Sequence, residues 1–207
     1  YNIMRNLISL LLVVVCISMV SCSNEEQGNV VSNSEDQELV LHQNEYLTVY
    51  AIKDVVSMQN AIDEWNEQFD LKTKGEMEDG FQLVDIVKSP EIEDCDAVLA
   101  KKGNEYIAYY RQNGIFVRKI YITIDQEQQN AYDITYKDAD TKAVAFVQIS
   151  EDGKVVTNPL TKVAGQAVMD CITDAYSNHG WASVILTIES AVIWETAAAV
   201  AIACAVR

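Results

Sequence analysis

Phe116-Val117-Arg118-Lys119-Ile120-Tyr121-Ile122-Thr123-Ile124 decides the fold. Ile120, Ile122 and Ile124 point one way, with Arg118 interrupting their row, while Lys119, Tyr121 and Thr123 point the other way. A period of two with one apolar side is a half-buried antiparallel strand. Working outward, segments 81–87, 97–101, 106–110, 132–136, 143–149 and 154–157 read as strands too. Gly103-Asn104, Asn113-Gly114 and Asp152-Gly153 stand between them, and these dipeptides accept the positive φ of tight hairpins. Short connections make chain neighbours into sheet neighbours, so the expectation is a β-meander of five to seven strands. Asn158-Pro159 ends it.

Helical periods flank this run. In 51–71, Val55, Met58, Ile62, Trp65 and Phe69 recur at steps of three and four on one face, with charged and amide side chains opposite. Such a stripe suits a helix packed on a sheet, and a partner groove is the alternative use. Segment 72–80 is charged, contains two glycines and reads as a loop. A helix at 163–176 is broken by Ser177-Asn178-His179-Gly180, and a strongly apolar helix follows at 181–206, with Glu189 and Glu195 as its acids. The fold class is therefore α+β: an N-terminal helix, an antiparallel β-meander and a C-terminal helical hairpin. The domain divisions are 45–162 for helix plus sheet and 163–207 for the hairpin. Segment 22–44, rich in Ser, Asn, Gln and Glu, has little to bury and reads as a flexible tether.

Ahead of the tether, Arg5 is followed by an apolar run from Leu7 to Val20. A basic start, a short apolar stretch and small residues at its end make a signal peptide over 1–21, with Met4 read as its start. The run is shorter than the roughly 20 residues of a membrane-spanning helix. Met19-Val20-Ser21-Cys22 resembles the lipobox of bacterial lipoproteins, with Met19 where that family usually has Leu. The resemblance implies lipidation of the Cys22 thiol and cleavage before it. Ser23-Asn24-Glu25-Glu26 is similar to the acidic tag that follows the lipidated cysteine in Bacteroidota lipoproteins. Together they imply an exported protein, lipid-anchored in the cell envelope, at the outer membrane. Each buried CH₂ of such an anchor contributes about 0.8 kcal/mol.

The 207 residues carry 15 Lys+Arg against 31 Asp+Glu, a formal net charge of −16. Removing a leader that holds Arg5 and no acid makes the remainder more acidic still. Such a surface repels nucleic-acid phosphates, which argues against a nucleic-acid partner. The membrane partner is reached through the lipid, and the remaining partner class is a protein or glycan ligand. Tyr106, Tyr109, Tyr110 and Tyr121 sit in the strand run and are the candidate binding residues. Tyrosine is also a good strand former with a polar tip, so the same residues serve as sheet packing.

Cysteines stand at 16, 22, 95, 171 and 204. With Cys16 in the leader and Cys22 given to lipid, Cys171 and Cys204 are the natural disulfide, and Cys95 is left over. No CxxC occurs, so no metal site or cofactor is expected. Cys171 with His179 would make a thiol–imidazole pair only if the disulfide did not form. Asp170, Asp174 and His179 are conceivable metal ligands or simply exposed polar groups. Asp138-Ala139-Asp140 resembles part of a calcium loop but lacks the glycine and distal Glu at the required offsets. No phosphate-cradling glycine loop, GxSxG or HExxH appears. The expectation is a non-enzymatic binding module. The alternative rests on the hairpin: a signal, an acidic region and a Cys-bounded apolar end resemble the layout of bacteriocin precursors, with Tyr176-Ser177-Asn178-His179-Gly180-Trp181 faintly similar to their Tyr-Gly-Asn-Gly segment. That reading needs the hairpin to be released and membrane-active; the other needs it to be core.

Overall fold

A computed structural model describes residues 38–69, 80–128, 131–159, 166–188 and 190–206. The leader, Cys22, the tether through 37 and all of the expected loop 72–80 except Gly80 lie outside the described residues. Nine strands form one antiparallel sheet in chain order: β1 (Val40–Gln43), β2 (Thr48–Ala51), β3 (Gln82–Lys88), β4 (Cys95–Lys102), β5 (Glu105–Gln112), β6 (Ile115–Gln128), β7 (Ala131–Asp138), β8 (Val144–Ile149) and β9 (Val155–Pro159). The count exceeds the expected five to seven because β1 and β2 precede the first expected strand. The tether reading of 22–44 is corrected at its end, where β1 lies. Four residues are too few to show a period. Their turn is set by Asn44, whose Oδ1 accepts from the backbone N–H of Tyr46 at 2.8 Å and of Leu47 at 3.0 Å.

The helix α1 (Val55–Phe69) is consequently not the first element. It starts at 55 because Asp54 caps it: the carboxylate accepts from the Ser57 backbone N–H at 3.0 Å and its hydroxyl at 2.6 Å. After the sheet come α2 (Gln166–Asn178), α3 (Trp181–Thr187), a 3₁₀ turn (Ser190–Val192) and α4 (Ile193–Ala205). The single long helix expected over 181–206 is thus two helices with a break. No Gly or Pro announces it. The Thr187 hydroxyl donates to the Ser183 and Val184 carbonyls, 2.9 and 3.2 Å away, and Ile188 then turns extended at φ −76°, ψ 152°. A side chain takes over carbonyls of the last turn, which ends α3.

The hairpins follow from their dipeptides. Gln112 pairs with Ile115 across Asn113-Gly114, with φ of 51° and 77° at the two turn positions, the both-positive turn that matches strand twist. The two sheet faces bury different sets. Tyr106, Ala108, Tyr110, Ile120, Ile122, Ile134 and Tyr136 join α2, α3 and α4 in the larger core. Val98, Ile107, Tyr109 and Phe116 join Ile62 and Trp65 of α1 on the opposite face. Ile120, Ile122 and Ile134 are 0% exposed, and full burial of one such side chain contributes about 1.5–3 kcal/mol.

Apart from Glu195 and Thr196, α4 is apolar on every side, because all of it but Trp194 and Ala203 is buried. Its alanines bring its backbone close enough to the sheet for tyrosine hydroxyls to reach it. Tyr110 donates to the Ala198 carbonyl at 3.3 Å and Tyr136 to the Ala197 carbonyl at 3.0 Å. Tyr136 also meets the Tyr176 hydroxyl of α2 at 2.6 Å. Arg118, the residue that breaks the isoleucine row, has a reason to be there. Its Nε donates to the Ala205 carbonyl at 3.1 Å, at the end of α4, and its Nη1 donates to Asp138 Oδ2 at 2.5 Å. The Cys171–Cys204 disulfide closes the far side, tying α2 to α4 across 33 residues with the Cα atoms 5.7 Å apart.

Candidate functional site

The four candidate tyrosines do not share a surface. Tyr106 is 5% exposed and Tyr109 and Tyr110 are fully buried. Tyr106 and Tyr110 face the C-terminal helices, whereas Tyr109 and Tyr121 face the α1 side. Alternation along a strand separates neighbours by face, so residues 109 and 110 had to part. Tyr106 stacks on Trp194 of α4, with centroids 4.2 Å apart and planes at 17°. Three of the four rings are packing, and an exposed tyrosine platform is not what the sheet presents.

The structure opens a cleft elsewhere, of about 520 Å³, where the C-terminal helices meet the β1–β2 turn and the β3–β4 connection. Tyr46 comes from the turn fixed by Asn44, and Ser89, Glu91 and Ile92 from the β3–β4 connection. α2 supplies Cys171, Asp174 and Ala175, α3 supplies Trp181 and Val184, and α4 supplies Ala199, Val200, Ala203 and Cys204. The hollow exists because small side chains of α4 stand opposite large rings. Tyr46 and Trp181 lie 5.8 Å apart with their planes at 56°. Gly180, at φ 80°, makes the sharp reversal from α2 into α3 that sets Trp181 at the mouth. The disulfide lies in the wall, with Cys204 at 2% exposure. The lining is polar and apolar in about equal measure, and a hollow of this size with polar groups on its rim is a candidate small-molecule site.

The rim groups are partly occupied with each other. Asp174 accepts from Asn178 Nδ2 at 2.6 Å and faces His179 Nε2 at 3.0 Å. Those two hydrogen bonds, Asn178 first, hold its carboxyl below the usual range. Asp170 is turned to the Gln166 amide at 2.9 Å, so Asp170, Asp174 and His179 do not converge. Among the described residues no group of three or more His, Cys, Asp or Glu is placed to hold a metal. Cys171 is in the disulfide and makes no thiolate partner for His179. Asp138 is fully buried, with Oδ1 accepting from the backbone N–H of Asp140 and Thr141 at 2.9 and 2.8 Å and Oδ2 on Arg118. It caps the β7–β8 turn. Cys95 is free and 7% exposed, and burial, with Asp94 and Asp96 alongside, pushes its thiol up.

One titratable cluster was not visible in the sequence. Glu195, in the first turn of α4, is 7% exposed, and its Oε2 is buried without a hydrogen-bond partner. Asp85 of β3 faces it, and Lys101 of β4 and Tyr106 of β5 complete the surroundings. Burial raises Glu195 to about 7, with the Asp85 charge adding to it, and Asp85 is raised by burial too. A carboxyl poised there has the acidity of a general acid–base. None of these four side chains lines the cleft. The cluster sits under α4 and reads as a strained contact of the fold. Sequence offered only a lone acid in an apolar run, whose partners lie some hundred residues earlier.

Comparison with protein-family models, with curated proteins and with solved structures returns no match.

Proposed function

We propose that this chain is an exported envelope lipoprotein, anchored through Cys22, whose folded domain is a non-enzymatic binding module with the cleft beside Trp181 as its ligand site. The observation that carries the binding reading is that cleft, about 520 Å³ with an aromatic mouth, walls of mixed polar and apolar character and carboxylates on the rim. The Met19-Val20-Ser21-Cys22 sequence supports the anchor. The Cys171–Cys204 disulfide fits an oxidising compartment outside the cytoplasm. The release of a membrane-active C-terminal peptide finds no support in the packing, since α4 is the centre of the larger core. No described helix is long and apolar enough to cross a membrane.

Two measurements test the reading. Growth with labelled palmitate should label the wild type and not Cys22→Ala, and an unlabelled wild type removes the anchor. A ligand that raises Tm in the wild type should lose its effect in Ala203→Trp, which fills the cleft. An undiminished rise in that variant removes the cleft as the site.

A further inference from the structure

We infer that the ligand of this cleft is a small organic cation carrying an apolar body. The inference rests on the cleft being a binding site and adds the chemistry that the site selects. A second hollow of about 350 Å³ adjoins the cleft and shares Tyr46 and Val184 with it. The acids lining the pair are Glu45, Glu91 and Asp174, the histidines are His42 and His179, and among the described residues no Lys or Arg lines either hollow. That one-sidedness sits on a chain of net charge −16, so the field favours a cation and opposes an anion at the mouth.

The rings add a second, independent selection. Trp181 and Tyr46, tilted 56° to each other at 5.8 Å, form an aromatic corner between the carboxylates. The face of an indole or phenol attracts a cation through its quadrupole. Glu45 accepts a hydrogen bond from the Tyr46 hydroxyl, which ties one carboxylate to one ring. The apolar body goes inward, where Val184 and Val200 and the small residues of α4 leave room. A polar cation without such a body leaves those walls wet, and an apolar molecule without charge forgoes the rim. Glu91, on the β3–β4 connection, is exposed and lines the cleft.

The test compares three probes of one shape on the full chain: phenylpropylammonium, phenylpropanol and phenylpropanoate. Binding is followed by tryptophan fluorescence, with Trp181→Phe identifying the reporting ring among the three tryptophans. The ammonium probe is expected to bind about fivefold more tightly than the alcohol, the order of one cation–π contact with a screened carboxylate. The carboxylate probe is expected to bind more weakly than either. Glu91→Gln with Asp174→Asn, both at exposed positions, is expected to narrow the gap between ammonium and alcohol to the part the rings supply, as is raising the salt. If the alcohol binds the wild type as tightly as the ammonium, the cation class is overturned and the cleft stands. If all three leave the Trp181 signal unchanged, the cleft itself falls.

Discussion

Arg118 shows how one side chain that looks out of pattern is a structural joint. It stands on the buried row of β6, reaches the last carbonyl of α4 and neutralises an Asp138 carboxylate that is fully out of water. Breaking such a pair costs more than the pair itself contributes, because the surviving charge is stranded. Arg118→Met is expected to lower unfolding stability by about 2–4 kcal/mol. Asp138→Asn in the same background should recover part of it, since the amide is neutral and still accepts from the turn. Denaturant midpoints measure both, and a loss below about 0.5 kcal/mol would mean that the clamp is a surface decoration. The tyrosines make the same point. Their hydroxyls look like ligand groups in a linear reading, and in the fold Tyr110 and Tyr136 spend them on α4 carbonyls.

At the scale of elements, α4 is the piece whose attachment is most finely balanced. It is held by the tyrosines, by Arg118 and by the disulfide, yet its first turn carries Glu195 against Asp85. Glu195 is raised in the fold from its usual 4.5 to about 7. A raised value means that the folded state binds the proton more tightly, so stability is fully present below about 4.5 and is lost as pH climbs through about 7. Asp85, also raised, acts in the same direction. Urea unfolding at pH 5 and pH 8 should show the loss, at most about 3 kcal/mol from Glu195. Glu195→Gln should flatten that pH dependence; an unchanged slope places its origin elsewhere. The disulfide acts on the same helix. Replacing Cys171 and Cys204 together with Ser should cost about 3–4 kcal/mol for a loop of 33 residues, and a calorimetric Tm that does not move would contradict it.

The legible elements were those with a period or a turn dipeptide. The run from 81 to 157 declared its strands through alternation and through Asn113-Gly114, and α1 declared itself through the step from Val55 to Ile62 and Trp65. Two kinds of feature were hidden. β1 and β2 are four residues each, no more than two repeats of their period, and only the Asn44 turn marks them. The end of α3 falls within an apolar run in which burial on all sides erases any period, and its signal is one threonine hydroxyl. The disulfide partners were legible by elimination and the cleft was not, because its walls are far apart in sequence.

At the scale of the whole molecule, a nine-stranded meander carries α1 on one face and the C-terminal helices on the other. The second of these layers is at once the core and the wall of the cleft. That coupling is why the C-terminal segment belongs to the folded domain: to release it would strip the sheet of its largest apolar contact. It also places the cleft next to the disulfide that fastens the layer down. The most direct test of this account is amide chemical-shift mapping with a mixed library of small fragments. The account predicts shifts concentrated at Tyr46, Ile92, Trp181, Val184 and Val200. Shifts concentrated instead around Tyr121 and Phe146 on the other sheet face, or none from any fragment, would contradict it.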